Sequence, residues 1–209
     1  NEIALSFHES CLKSCDVELL KGPFWLNDQI ISFYFEYLEK LVYRNEKEFL
    51  FVSPEVTQCI KIVSESEVNI FLQPLNASQK SFFFFALNDN DQGDRAGGSH
   101  WSLLVFSRPE RIFYHFDSSR SSNIEYGTRL YNILRKALNC PTAILRTGDC
   151  LQQANGYDCG IHVICNTEQI TEHIIRYGRV EGVRSCRYDT IKNKRQDLLN
   201  LICDLGGRI

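Results

Sequence analysis

An α+β domain, with a central sheet sandwiched between helices, is the fold class this 209-residue sequence predicts. Three observations lead there. The run at residues 81–87 holds four consecutive phenylalanines and is too apolar for a strand with one wet face, so it belongs in a sheet covered on both sides. Two further stretches, 97–105 and 112–118, carry strand-like apolar runs and are joined by a short connection near residues 107–110, the arrangement of an antiparallel hairpin. Elsewhere apolar residues recur at helical spacing.

Residues 3–20 read as an edge strand followed by an irregular or short helical arm, ended by Lys21-Gly22-Pro23. After Trp25, the side chains of Asn27 and Asp28 can cap a helix whose apolar positions are Ile30, Ile31, Phe33, Tyr34, Tyr37, Leu38 and Leu41. Trp25 before that cap has the position of a hydrophobic staple. Ser53-Pro54-Glu55 supplies a cap, a first-turn proline and a first-turn acid for a helix toward Val63. A short helix over 65–72 should stop at Pro74. Residues 88–99 are polar, glycine-rich and long for a connection inside a domain; they read either as a solvated loop or as a functional one. An amphipathic helix follows over 126–138, then a short strand at 143–145. A helix opening at Cys159 should reach about Ile175, and a last one, 188–205, ends at Gly206-Gly207. The basic stretch 176–195 reads as a solvated face, with substrate docking as the alternative. No repeat, low-complexity tract or linker divides the chain, so one domain over 1–209 is expected.

Composition excludes several functions. With 23 basic against 26 acidic residues and a net charge of −3, there is no basic excess for nucleic acid. No apolar run approaches a membrane span, and no charged region followed by a hydrophobic core marks the start for secretion. An intracellular protein of the cytoplasm or nucleus is expected, without membrane partners. Nine cysteines, an odd number at scattered spacing, then read as reduced thiols. Cys11 and Cys15 have the spacing of one zinc-ligand pair, but no second pair answers them, so neither metal nor cofactor is expected.

The chemistry centres on Cys159. It follows the polar turn Asn155-Gly156-Tyr157-Asp158 and opens an apolar run, which puts it at a helix N-terminus where unpaired N–H groups and the dipole favour an anion. For any one of nine cysteines the ordinary reading is a core thiol, so context decides. His100 starts one strand of the expected hairpin and Asp117 ends the next, which brings both to one edge of the sheet. His115 shares a strand with Asp117, and His162 lies inside the Cys159 helix; His8 and His173 are further competitors. A base held by a carboxylate and facing a thiol is the logic of thiol proteases. Gln153, six residues before Cys159, offers an amide N–H to an oxyanion.

The ordered set His100-Trp101, Asp117-Ser118, Gln153 to Cys159-Gly160, with Trp25-Leu26-Asn27-Asp28 near the start, resembles the sentrin-specific (Ulp-type) cysteine proteases over nearly the whole chain. Residues 51–58, Asn88-Asp89-Asn90, Tyr157-Asp158-Cys159-Gly160 and the shortness of the chain ahead of Trp25 are similar to the deneddylase branch of that family. The resemblance implies a papain-like Ulp-type fold with a mixed sheet, and catalysis in the order His100, Asp117, Cys159, with Gln153 assisting. It also implies a substrate tail ending in Gly-Gly that threads between Trp25 and Trp101, and Asp28 meeting a basic residue just before the diglycine. Asn88 and Ser99, at the feet of the 88–99 loop, join the expected substrate-binding set, the loop acting as a lid. The implied partner is the ubiquitin-like modifier NEDD8 and its conjugates such as cullins, handled by a monomer. The alternatives are a SUMO protease, an acyltransferase of the same residue order, for which no cofactor motif is present, and a non-catalytic module that binds ubiquitin-like tails.

Overall fold

The structure, a computed structural model, describes residues 2–93 and 97–209. It opens with an antiparallel hairpin, β1 (Ile3–Phe7) and β2 (Ser10–Lys13), that turns at His8, where φ is 48°. Where the sequence suggested one edge strand and an arm, there are two strands and a helix, α1 (Ser14–Lys21). The second strand escapes pattern reading because only Leu12 of its four residues is buried. Asp16 ties this region together, accepting from Lys13 N at 2.8 Å and from Asn27 Nδ2 at 2.7 Å.

Asn27 caps α2 (Asp28–Tyr37), its side chain accepting from Ile30 N at 3.2 Å. A cap of this kind stabilises by about 1 kcal/mol. Beyond Tyr37 the chain widens into a π turn, Leu38–Val42, which rotates Leu41 off the core stripe and leaves it 43% exposed. Leu41 is therefore not a core position, contrary to its helical spacing. β3 (Phe49–Val52) follows, then α3 (Pro54–Ile62), capped by Ser53 onto Val56 N at 3.3 Å. The short helix α4 (Val68–Leu72) is preceded by a 3-10 turn at Glu65–Glu67. It does not end at Pro74, which fits the first turn of a further 3-10 segment; the chain reverses at Asn76, where φ is 54°.

The remaining strands are β4 (Phe82–Asn88), β5 (Trp101–Ser107), β6 (Ile112–Phe116) and β7 (Ile144–Thr147), with α5 (Ile124–Ala137) between the last two. They form one sheet in the order β3-β4-β5-β6-β7, antiparallel across β4, β5 and β6 and parallel at both outer pairs. The sheet is thus mixed, and β5 is its middle strand. Two long helices complete the chain, α6 (Cys159–Tyr177), closed by Gly178 at φ 68°, and α7 (Tyr188–Asp204). Among the described residues no helix is long and apolar enough to cross a membrane.

The four phenylalanines of β4 explain the layering. Period-two alternation sends Phe83 and Phe85 to one face, against Ile60 of α3 and Leu130 and Leu134 of α5, and Phe82 and Phe84 to the other, against α2 and α6. Each buried phenylalanine contributes on the order of 1.5–3 kcal/mol of transfer free energy. Behind α2 and α6 lies a third core, made with β1, β2, α1 and α7. α6 is consequently enclosed along most of its length, and its buried Thr167 and Thr171 donate their hydroxyls to Val163 O and Thr167 O one turn back. A helix held on both sides fixes where its first residue stands.

Candidate active site

That first residue is Cys159, 2% exposed. The next, Gly160, lets the helix end approach the 24–28 segment: a Cβ there would lie 2.9 Å from Leu26 Cβ, closer than side chains pack. Asp158 precedes the helix but does not cap it; its carboxylate turns to Arg195.

The β5–β6 hairpin delivers the other two groups. Leu103 pairs with Phe116, so His100, one residue before β5, and Asp117, one residue after β6, stand at the same edge. His100 Nε2 donates to Asp117 Oδ1 at 2.6 Å in a buried contact, and Cys159 hydrogen-bonds to the same imidazole. With Nε2 occupied, Nδ1 is the ring nitrogen left for the sulfur. Burial works against a charged imidazole, but the hydrogen bonds and charges of Asp117 and Cys159 outweigh it and raise His100 to about 9. Burial likewise opposes ionisation of Asp117, and it is overcome by hydrogen bonds from His100, Asn123 N at 2.8 Å and Ser119 N at 2.9 Å, which hold the carboxyl below its usual range. The site therefore holds a raised imidazole between the Asp117 carboxylate and the Cys159 sulfur, the arrangement that makes a thiol nucleophilic and supplies an acid beside it.

Its competitors are placed differently. Burial lowers both His115 and His162 to about 4, so each is neutral near pH 7. His115 bonds Ser102 Oγ at 2.9 Å, His173 bonds Glu181 O at 3.0 Å, and His8 is exposed in its turn. Among the cysteines, burial pushes Cys150 up to about 11, Cys186 to about 12 and Cys165 well above its ordinary value, which keeps all three as thiols. All nine cysteines are free.

Gln153 sits on the loop leading to Cys159. Its backbone N–H donates to Ser118 O and its Oε1 accepts from Ser118 Oγ, both at 2.8 Å, while Nε2 donates to Asn155 O at 2.7 Å. One hydrogen of that amide group remains for another acceptor. A groove of about 680 Å³ runs to Cys159 between Trp25 and Trp101, its walls including Asp28, Asn88, Gly98, Ser99 and His100. Both indoles are anchored by their N–H, Trp25 to Gly156 O at 2.7 Å and Trp101 to Leu26 O at 2.9 Å. Trp25 is 51% exposed and is thus a wall and not a buried staple. Asp28 is half-buried and, among the described residues, has no ion-pair partner. Asn88 and Ser99 line the same groove, with their polar atoms bound within the loop: Asn88 Oδ1 accepts from Asn90 N at 2.8 Å, and Ser99 donates N–H and hydroxyl to Asp89, each at 2.6 Å. The crown of the expected lid, residues 94–96, lies outside the described residues.

A sequence model of the Ulp1 protease family, C-terminal catalytic domain, matches residues 24–201. The chain belongs to this family. It is a cysteine peptidase of the Ulp1 type, and its curated relatives include human sentrin-specific protease 8, 38% identical over 99% of this chain and 99% of that protein. NEDD8-specific protease 1 of Arabidopsis thaliana is 28% identical over 95% of this chain and 91% of its own. Among solved structures, the C-terminal Ulp1 protease domain in complex with Smt3, the yeast orthologue of SUMO, superposes with a TM-score of 0.78 at 20% identity, covering 99% of this chain and 89% of that one. At that identity the match shows the Ulp1-like fold, an α+β arrangement with a mixed central sheet flanked by helices.

Several residues of this Ulp1-family site carry no sequence signal of their own. Asn123 donates its N–H to Asp117 and its Nδ2 to His100 O and Ser102 Oγ, both at 3.1 Å, so one buried amide holds both members of the His–Asp pair. Glu55, from α3, adds a second acid to the groove lining beside Asp28's helix and accepts from Ser32 Oγ at 2.6 Å. Lys61 and Gln58 of α3 pin the rising limb of the 88–99 loop: Lys61 Nζ donates to Asn90 O at 2.8 Å and to Asn88 O, and Gln58 Nε2 donates to Asn90 O at 2.9 Å. Asn123 hides in a polar turn, and Lys61 is an ordinary helix lysine by sequence; their roles exist only once the chain is folded.

Proposed function

We propose that this protein hydrolyses the bond after the C-terminal Gly-Gly of NEDD8, both in its precursor and where it is joined to lysine on conjugates such as cullins. The observation that carries the reading is the Cys159–His100–Asp117 chain at the end of a narrow groove between two anchored tryptophans. The family resemblance implies a diglycine tail in this passage, because glycine has no side chain to clash with the walls beside the sulfur. Within this reading Cys159 thiolate attacks the glycine carbonyl, and the oxyanion is held by the Cys159 N–H and the free hydrogen of Gln153 Nε2. His100 gives its proton to the departing amine, which leaves a thioester. Neutral His100 then takes a proton from water, hydroxide attacks the thioester, and the thiolate is restored. Asp117 orients the imidazole and balances its charge.

The unpaired carboxylate of Asp28, with Glu55 near it, favours a tail carrying a basic residue before the diglycine, which supports NEDD8 over SUMO. A pure tail-binding module has no use for a buried imidazolium beside a cysteine. The protease reading treats residues 1–209 as one domain that acts as a monomer in the cytoplasm or nucleus, without cofactor or metal. Its test is cleavage of NEDD8 extended at its C-terminus, followed by mass spectrometry of the product. Cleavage after Gly-Gly is expected, with a loss of about 10³-fold or more in Cys159→Ser; a serine variant of unchanged activity would exclude the mechanism.

A further inference from the structure

The basic stretch 176–195 reads in sequence as a solvated face, yet the side chain of its last member is largely covered. Arg195 of α7 has 16% of its side chain exposed, and its guanidinium reaches into the seam between α1, the 22–28 segment and the loop before Cys159. Nε and Nη2 both donate to Asp158 Oδ1, at 3.0 and 2.8 Å; Nη1 donates to Leu19 O and Nη2 also to Phe24 O, each at 2.7 Å. The plane of the group lies over the Tyr157 ring, 5.6 Å from its centroid. The other oxygen of Asp158 accepts from Asn155 Nδ2 at 2.8 Å, and Asn155 Oδ1 accepts from the N–H groups of Tyr157 and Asp158.

One planar cation thus joins the residue before the nucleophile to the residue before Trp25. We propose that Arg195 is a positioning residue for the protease reaction, holding the Cys159 end of α6 in register with the Trp25 wall of the substrate groove through Asp158 and Phe24 O. The claim rests on the reading of Cys159 as nucleophile and of the groove as the tail site. The fork of donors is what matters: a lysine would keep the charge, but its compact ammonium has no planar fork to span Asp158, Leu19 O and Phe24 O together. The contact between Trp25 Nε1 and Gly156 O is a second tie across the same seam, so the two walls still meet when Arg195 is lost, but with freedom to shift. A displacement of about 1 Å between bound tail and sulfur costs on the order of a hundredfold in rate.

The position separates this role from a purely structural one. Reaction of Cys159 with iodoacetamide needs the thiolate but not the tryptophan wall, whereas turnover of a fluorogenic NEDD8 substrate needs both. For Arg195→Lys, the expected result is a kcat lowered by about ten- to a hundredfold with KM and the iodoacetamide rate each changed by less than about threefold. Asp158→Asn keeps the shape and removes the charge, and should give the same split; the double variant should be no worse than the poorer single one, because both break one link. Should Arg195→Lys not fold, Asp158→Asn carries the comparison by itself. Unchanged kcat, or kcat and alkylation falling together in step with melting temperature, would overturn the proposal. Wild-type protein that is not alkylated at Cys159 would instead overturn the nucleophile assignment beneath it.

Discussion

At the scale of single residues, the site is governed by where one proton resides. His100 is raised from an ordinary value of 6.5 to about 9, so folding strengthens its hold on the proton. The stability this contributes is fully present below about pH 6.5 and is lost as pH rises through about 9. Asp117 has the opposite sign: its contribution is present above the ordinary carboxylate range and is lost as pH falls through its depressed value. Activity should follow the same proton, with kcat/KM declining on the alkaline side near pH 9 as the imidazolium is lost. Asp117→Asn removes the charge that keeps His100 protonated. It is expected to move that alkaline limb toward neutrality and to lower kcat by about 10²- to 10⁴-fold with little change in KM; a pH–rate profile with an unmoved limb would contradict the pairing. These three residues were legible in the sequence because each sits at a boundary of a regular element, where the hydrophobic pattern says which way the chain points. Asn123 was not. It works through a backbone N–H and a buried amide in an irregular turn, and turn residues of that type are common for local reasons.

At the scale of elements, the β5–β6 hairpin and α6 are two rigid bodies that must meet within a hydrogen bond. Asn123, between β6 and α5, is the bracket on the hairpin side. Asn123→Ala leaves Asp117 its backbone donor but strips partners from the buried His100 O and Ser102 Oγ. The expected cost is about 1–3 kcal/mol in chemical denaturation, with a drop in kcat beyond what the folded fraction explains; equal stability and equal kcat would show that water or neighbours replace the amide. The 88–99 loop is held at its feet, by Lys61 and Gln58 on one limb and by Asp89 on the other. Lys61→Met should therefore raise amide exchange at residues 88–92 without changing that of β5, and unchanged exchange would mean that Asp89 suffices. Element reading from sequence worked where patterns were long, as for α5, α6 and α7. It failed for β3, whose four residues are too few for an alternation, and at Leu41, where a π turn shifts the phase of a helical stripe.

At the scale of the whole molecule, three cores share the work of fixing one sulfur. The sheet is packed on both faces, and Phe84, fully buried, stacks on Phe51 at 5.0 Å between ring centroids. Phe84→Ala should cost about 3–5 kcal/mol by chemical denaturation, since a rigid layer between helices cannot collapse into the space left; a cost under about 1 kcal/mol would show that the sheet relaxes. The layered architecture was legible because four adjacent phenylalanines admit no wet face. The third core, made by the hairpin of β1 and β2 with α1 and α7, was not, because its contacts join the two ends of the chain, and no local pattern reports partners so far apart in sequence.

The central claim is that this scaffold presents Cys159 to the Gly-Gly end of NEDD8. It is tested most directly by exposing the protein to equal concentrations of NEDD8, SUMO and ubiquitin, each carrying an electrophile in place of its C-terminal carboxylate, and mapping the adduct by mass spectrometry. The account predicts one adduct, NEDD8 on Cys159, lost in Cys159→Ser and slowed when Asp28→Asn removes the unpaired carboxylate of the groove. Preferential capture of SUMO or ubiquitin, or an adduct on Cys150 or another thiol, would contradict it.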